Sequence, residues 1–223
     1  MRPLAWCSRP RSSAALLKGA LIQTLALIVL GYLAGSIPSG YWVVRWTRGE
    51  DIRRVGSGNI GATNVWRSFG PRYAIPVIVL DVVKGLVPAL VATLVAGHVA
   101  GALAGGAAML GHWRPIFLRF AKGGKMVATC GGALLGLAPL VGLIGAGMWI
   151  LVFVLTRYAS VSSIVAAASL PVAALLLDEP WPVLVFSSAA AVGVLLLHRG
   201  NLARLRAGTE TRVRLRRKPA PTT

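Results

Sequence analysis

Four short polar stretches interrupt an otherwise apolar chain, and two of them, rich in glycine, combine residue types suited to holding a phosphoryl group. The first, Gly56-Ser57-Gly58-Asn59-Ile60-Gly61-Ala62-Thr63-Asn64, leads to Arg67. Glycines let backbone amides approach phosphate oxygens, Ser57, Thr63 and Asn64 add side-chain donors, and a guanidinium supplies charge in a forked geometry. Glycine and asparagine also build ordinary turns, so this stretch alone is a weak signal. The second, Lys122-Gly123-Gly124-Lys125, repeats the arrangement with a lysine presented after two glycines, and it does not fit the GxxxxGK[ST] phosphate loop. In the third, Arg157-Tyr158-Ala159-Ser160-Val161-Ser162-Ser163, Ser160 and Ser163 share a helical face, although small hydroxyls in membrane helices equally serve close packing. The fourth, His198-Arg199-Gly200-Asn201, sets an imidazole and an amide three residues apart at a helix end.

The acids exclude more than they suggest. Only six Asp and Glu occur in 223 residues, against 24 Lys and Arg. Asp81 and Glu210 are the only ones outside two surface turns, and no two stand at helical spacing to hold Mg²⁺, which disfavours metal-dependent phosphotransfer of the CDP-alcohol type. A histidine oriented by an aspartate five residues on is also absent, since Leu103, Phe117 and Ala203 follow His98, His112 and His198 at that distance. Cys7 and Cys130 lie far apart without metal-ligand spacing, so neither a disulfide framework nor a metal site is expected.

The elements that must carry these stretches are membrane helices. The chain is 56% hydrophobic and 13% charged. Runs free of Asp, Glu, Lys and Arg extend over Gly19–Val44, Gly85–Trp113, Met126–Thr156, Tyr158–Leu177 and Pro180–His198. A lipid core of about 30 Å needs about twenty helical residues, and these runs are continuously apolar rather than alternating, which argues against a barrel. The first span is expected to bend or end at Pro38, and further spans cover Tyr73 to Gly97 and His98 to Phe117. Val127 to Thr156 is long for one helix, so a tilted helix or two pieces broken near Pro139 both fit. Spans over Ser160–Leu177 and Trp181–Leu197 complete an all-α, polytopic transmembrane bundle of about seven spans with short or broken helices. Asp81 and Lys84, three residues apart on one helical face, are expected to face the protein interior or an interface. The division is a basic N-terminal extension over 1–18, a transmembrane domain over 19–200 and a basic cytoplasmic tail over 201–223.

The formal charge of +18 is accounted for mostly by retention of Lys and Arg on the cytoplasmic side and by anionic lipid, so no nucleic-acid partner is expected. The tail from Arg199 to Lys218 has eight Lys or Arg against one Glu, which places it inside and the Asp178-Glu179 turn outside. Arg45–Arg72, with six arginines, and Arg119–Lys125 then share the tail's face. The basic N-terminus conflicts with this scheme, because an odd number of spans puts it outside. Four polar stretches on one face suggest one site: a pocket at the inner leaflet for a phosphorylated ligand, beside apolar helices that admit an acyl chain. An acyl phosphate would need no activated nucleophile, because phosphate is a good leaving group and positioning plus charge neutralisation supply the acceleration.

The order of motifs resembles the acyl-phosphate-dependent glycerol-3-phosphate acyltransferases of bacterial membranes. It runs from Tyr32-Leu33-Ala34-Gly35-Ser36-Ile37-Pro38-Ser39-Gly40 through GSGNIGATNVWR, Asp81-Val82-Val83-Lys84-Gly85, Gly111-His112-Trp113-Arg114-Pro115-Ile116-Phe117, GGK followed by VAT, and RYASVSS to HRGNLARLRAGTE. It covers about residues 30–210. The resemblance implies transfer of a fatty acyl group from acyl phosphate to the 1-hydroxyl of sn-glycerol 3-phosphate in phospholipid synthesis, giving lysophosphatidate and phosphate without metal or cofactor. It implies that Ser57, Arg67 and Lys125 hold phosphate, with Gly124 among the substrate-binding residues. Ser163, or Ser160 in its place, with His198 and Asn201 would position the glycerol phosphate, and Gly58, Asn59, Thr63 and Asn64 would shape the acyl-phosphate side. The base is either His198 or the acceptor's own phosphate, the latter favoured. An upstream acyl-phosphate synthase is an implied partner, and membrane lipid another.

Two departures accompany the resemblance. The family pattern reads GGKG before VAT, whereas Met126 follows Lys125 here; if that position needs positive φ or close backbone approach, methionine strains the loop or narrows access. The N-terminal extension has no counterpart in the pattern. Competing readings are a small transporter of an anionic phosphorylated solute and an inactive acyltransferase paralogue.

Overall fold

A computed structural model describes residues 13–213; the basic segment 1–12, with Cys7, and the tail beyond Val213 lie outside the described residues. Nine α-helices, α1 Ser13–Gly35, α2 Ser39–Arg48, α3 Ala62–Phe69, α4 Pro71–Trp113, α5 Val127–Leu137, α6 Pro139–Thr156, α7 Ala159–Leu176, α8 Trp181–Leu197 and α9 Arg199–Arg206, account for the described architecture, with 3-10 turns at Ile52–Arg54 and Ile116–Leu118. Proline places two of the breaks: Pro38 separates α1 from α2, and Pro139 opens α6 directly after α5.

The 43-residue α4 is two antiparallel arms. Gly97 leaves helical geometry at φ 80°, ψ 178°, and the chain folds back so that Gly101 packs on Ala89 and Thr93 and Gly105 on Ala89. The sequence boundary at Gly97 and His98 is thus a hairpin between two spans. α1 runs parallel to the second arm: Gly31 meets Ala104 and Gly35 meets Ala108 backbone to backbone. α5 lies along the first arm, with Gly85 against Thr129 and Gly132 against Val82. Lipid tails provide no hydrophobic drive between helices, so small residues that allow backbones to touch hold such a bundle together. Ala89, Ala92, Ala104 and Ala133 are accordingly buried, while Leu94, Leu155, Leu176 and Leu196 face outward.

The eleven residues of α5 rise about 16 Å, half a lipid core. Gly142 of α6 folds back onto Leu134 and Leu135, so α5 and α6 enter and leave from one end of the bundle. α7 leaves that end, the chain turns at Asp178 and Glu179, and α8 returns to it. The tail and the acidic turn therefore lie at opposite ends, as the charge bias requires. α1 starts at the end bearing the acidic turn, because its Gly35 end packs beside Ala108 and Gly111, at the end of the second arm from which α5 enters. The conflict over the N-terminus resolves in favour of an odd number of apolar segments, with one of them half length.

Candidate active site

Lys125, His198 and the loop containing Ser57 converge at the site end of the bundle, around a cavity of about 540 Å³. Each arrives by a different local device. In the first loop Asn64, buried on α3, accepts the Ser57 amide at 3.0 Å and donates to Val55 O and Asn59 O, both at 2.9 Å. Asn59 accepts the Gly61 amide at 2.8 Å and donates to Gly123 O at 3.1 Å, which ties the first loop to the second. Gly58 takes the left-handed conformation, φ 68°, that closes this turn. Asn59 and Asn64 line the cavity, yet their amides are already committed to holding the loop. Ser57, Thr63 and Arg67 line it with them. Arg67 stands exposed at the rim and donates to Thr211 O.

In the second loop the Gly123 and Gly124 amides donate to Trp113 O at 2.9 Å and His112 O at 3.0 Å. Gly124 does not line the cavity; it packs against the His112 imidazole so closely that a Cβ would overlap the ring. Lys125 then reaches over the cavity and donates to Asn201 Oδ1. Burial, partly opposed by Glu210 and reinforced by Arg204, Lys122 and Arg67, pushes the Lys125 ammonium down to about 8. Met126 adopts φ 68° at the start of α5, the left-handed region in which a side chain is strained. Its side chain is buried in the core with Cys130 and Leu134 and is absent from the cavity wall.

The third and fourth stretches complete the rim. Ser163 gives its proton to Ala159 O at 2.6 Å and accepts from Trp149 Nε1 at 3.1 Å, so its hydroxyl has no proton left for a ligand. Ser160 donates to Glu210 Oε1 at 3.0 Å. His198, buried on the cavity wall, holds Nδ1 2.8 Å from Val194 O. A carbonyl only accepts, so Nδ1 carries the proton and a neutral ring keeps its acceptor at Nε2.

Glu210 is the residue that sequence reasoning passed over. Its buried carboxylate accepts from Ser160, from Asn201 Nδ2 at 2.7 Å and from Arg204 Nε at 2.8 Å. Burial raises its carboxyl, but the three donors outweigh it and hold it below the ordinary glutamate range. Residues assigned to the tail thus fold onto the site: α9 supplies Asn201, and the strap after it places Thr211 O on Arg67 and the Val213 amide on Arg157 O at 2.9 Å. The only signal in sequence was an isolated glutamate closing the motif HRGNLARLRAGTE.

Below this polar rim most of the wall is apolar, formed by Gly131, Gly142, Ala146, Trp149, Ile150 and Leu170, with Asp81 and His112 as the polar side chains that also reach it. A basic mouth above a greasy floor can hold an anionic head with an attached or adjacent hydrocarbon chain.

Comparison with known proteins fits this geometry. The family model for glycerol-3-phosphate acyltransferase matches residues 25–208. A glycerol-3-phosphate acyltransferase of Desulforudis audaxviator is 42% identical over 88% of this chain and 98% of its own length. One from Synechococcus sp. (strain CC9902) is 45% identical over 86% of this chain and 96% of its own. Crystal structures of PlsY (YgiH), an integral membrane glycerol 3-phosphate acyltransferase, superpose with TM-scores of 0.82 for the glycerol 3-phosphate form, at 38% identity, and 0.80 for the lysophosphatidic acid form, at 35%. They cover 85% and 86% of this chain and 95% and 96% of their own.

Proposed function

The chain belongs to the glycerol-3-phosphate acyltransferase family, and from that premise we propose that it transfers a fatty acyl group from acyl phosphate to the 1-hydroxyl of sn-glycerol 3-phosphate, at the cytoplasmic face of a bacterial inner membrane. The observation that carries this reading is one cavity with two characters. Lys125, Arg67 and the glycine-rich first loop stand at its mouth, and Trp149 and Leu170 lie on the wall beneath.

In this reading the acceptor oxygen attacks the carbonyl carbon and forms the ester bond. The bond from that carbon to the phosphate oxygen breaks, and phosphate leaves with the electron pair. The hydroxyl proton passes to an oxygen of the acceptor's own phosphate. His198, with Nδ1 committed to Val194 O, keeps Nε2 as the alternative acceptor for that proton. Lys125 and Arg67 would neutralise the phosphoryl charge as it builds on the leaving group, which is where preorganised donors lower a barrier most. Asn201, bound on opposite sides by Lys125 and Glu210, would fix the ammonium's height over the cavity. The apolar wall would take the acyl chain from the membrane, and a reaction that activates fatty acids as acyl phosphates would have to precede this one.

The test is a two-substrate assay with labelled glycerol 3-phosphate, palmitoyl phosphate and a metal chelator. Lysophosphatidate is the expected product, and palmitoyl-coenzyme A should not replace the donor. Product from the thioester alone would refute the donor assignment, and no product from folded protein would favour transport or an inactive paralogue.

A further inference from the structure

Beneath the phosphate-suited rim lies a second polar cluster. Asp81 and Lys84, on the first arm of α4, and His112, on the second, have side chains only 4% exposed. Lys84 Nζ stands 2.7 Å from Asp81 Oδ1 and donates to Ile37 O at 2.8 Å, in the break between α1 and α2. His112 Nδ1 lies 3.7 Å from the same carboxylate oxygen, near enough for attraction but outside hydrogen-bond range, and neither atom has a hydrogen-bond partner among the described residues. The ring also touches the second loop: Gly124 packs on the imidazole with no room for a Cβ, and His112 O holds the Gly124 amide. Asp81 and His112 both reach the cavity wall.

A buried ion pair loses in desolvation much of what it gains in attraction, so packed aliphatic side chains would stabilise this layer as well. What the pair adds is direction. It joins the break at Ile37, both arms of α4 and, through His112, the seat of the Lys122–Lys125 loop.

We propose that Asp81, Lys84 and His112 are positioning residues for this loop: Lys84 fixes the Asp81 carboxylate, the carboxylate orients the His112 ring, and the ring face sets the height of Gly124 and hence of the Lys125 ammonium. The inference rests on the reading that Lys125 grips a substrate phosphate.

The test is a double-mutant cycle on His112→Ala and Gly124→Ala, with KM measured for glycerol 3-phosphate and for palmitoyl phosphate. Each single change is expected to raise one of these KM values about tenfold with kcat within about threefold, a coupling typical of residues in contact. The Gly124→Ala defect should largely vanish in the His112→Ala background, because the ring that its new methyl strikes is gone. Should His112→Ala not fold, the same cycle is run on His112→Asn, whose smaller side chain also clears the methyl. Additive KM effects, or a loss confined to kcat, would overturn the inference. Lys125→Ala separates the two readings: a parent-like kcat/KM there refutes the phosphate grip itself, whereas a lowered kcat/KM with no coupling between positions 112 and 124 refutes the positioning role alone.

Discussion

Replacing Glu210 should show that the strap after α9 is part of the site. Its carboxylate receives three hydrogen bonds, from Ser160, Asn201 and Arg204, at 3.0, 2.7 and 2.8 Å. Glu210→Gln keeps the shape and one acceptor oxygen, so Ser160 and Asn201 retain a partner, while the new NH₂ faces the Arg204 donor. The loss is one charge-assisted bond of about 1.5–3 kcal/mol, towards the low end because the Arg204 side chain is 49% exposed and rehydrates. Glu210→Ala removes all three and strands the buried donors of Ser160 and Asn201, for a total of about 3–5 kcal/mol. At about 2–4 °C per kcal/mol for a chain of this length, the thermal midpoint in detergent should fall about 3–6 °C for Gln and about twice that for Ala. Turnover should fall in the same order, because Asn201 also holds Lys125 and the strap holds Arg67. A Glu210→Ala protein with the parent's midpoint and rate would refute the reasoning. The sign with pH follows from the lowered carboxyl: its stabilisation is present above the ordinary glutamate value and is lost as pH falls through the folded one.

Lys125, held near 8, should release its proton as pH rises, so KM for a phosphorylated substrate should climb above about pH 8 and the climb should disappear in Lys125→Arg; over about 8 to 10.5 the same group makes folding more favourable as pH rises, since the unfolded chain then binds the extra proton. At Met126 the usual order of alanine over glycine should invert: both variants lose the buried thioether, but at φ 68° Met126→Gly escapes a left-handed strain of about 1–2 kcal/mol and should melt above Met126→Ala. Gly132→Val, forced into the Val82 backbone, should separate α5 from α4 and lower both yield and midpoint, and a stable variant would refute the close-packed seam.

Much of the bundle was legible because lipid imposes hard rules. Apolar runs of spanning length and Pro38 placed helix ends, Gly97 marked the hairpin, and Pro139 offered a break that a single tilted helix could equally have replaced. The N-terminal side was not legible, because it turns on whether the stretch around Pro139 counts as one span or two, and α5 is too short to cross alone. Residue types that hold phosphate were readable from the loops, yet a sequence does not show which polar groups are already used. Asn64 and Ser163 spend their donors on the backbone. Glu210 was missed because an isolated acid in a basic tail reads as a solvated charge until α9 brings it back over Ser160. The pairing of Asp81 with Lys84 followed from helical spacing, but the placement of His112 against it requires the hairpin.

The central claim is that loops distant in sequence present Lys125 to a phosphoryl group. Rates of lysophosphatidate formation against glycerol 3-phosphate concentration, measured for the parent and for Lys125→Ala, test it directly. The account expects a loss of about a hundredfold or more in kcat/KM with an unchanged thermal midpoint, the scale seen when one preorganised charge-stabilising donor is removed. Parent-like kinetics in Lys125→Ala would contradict it.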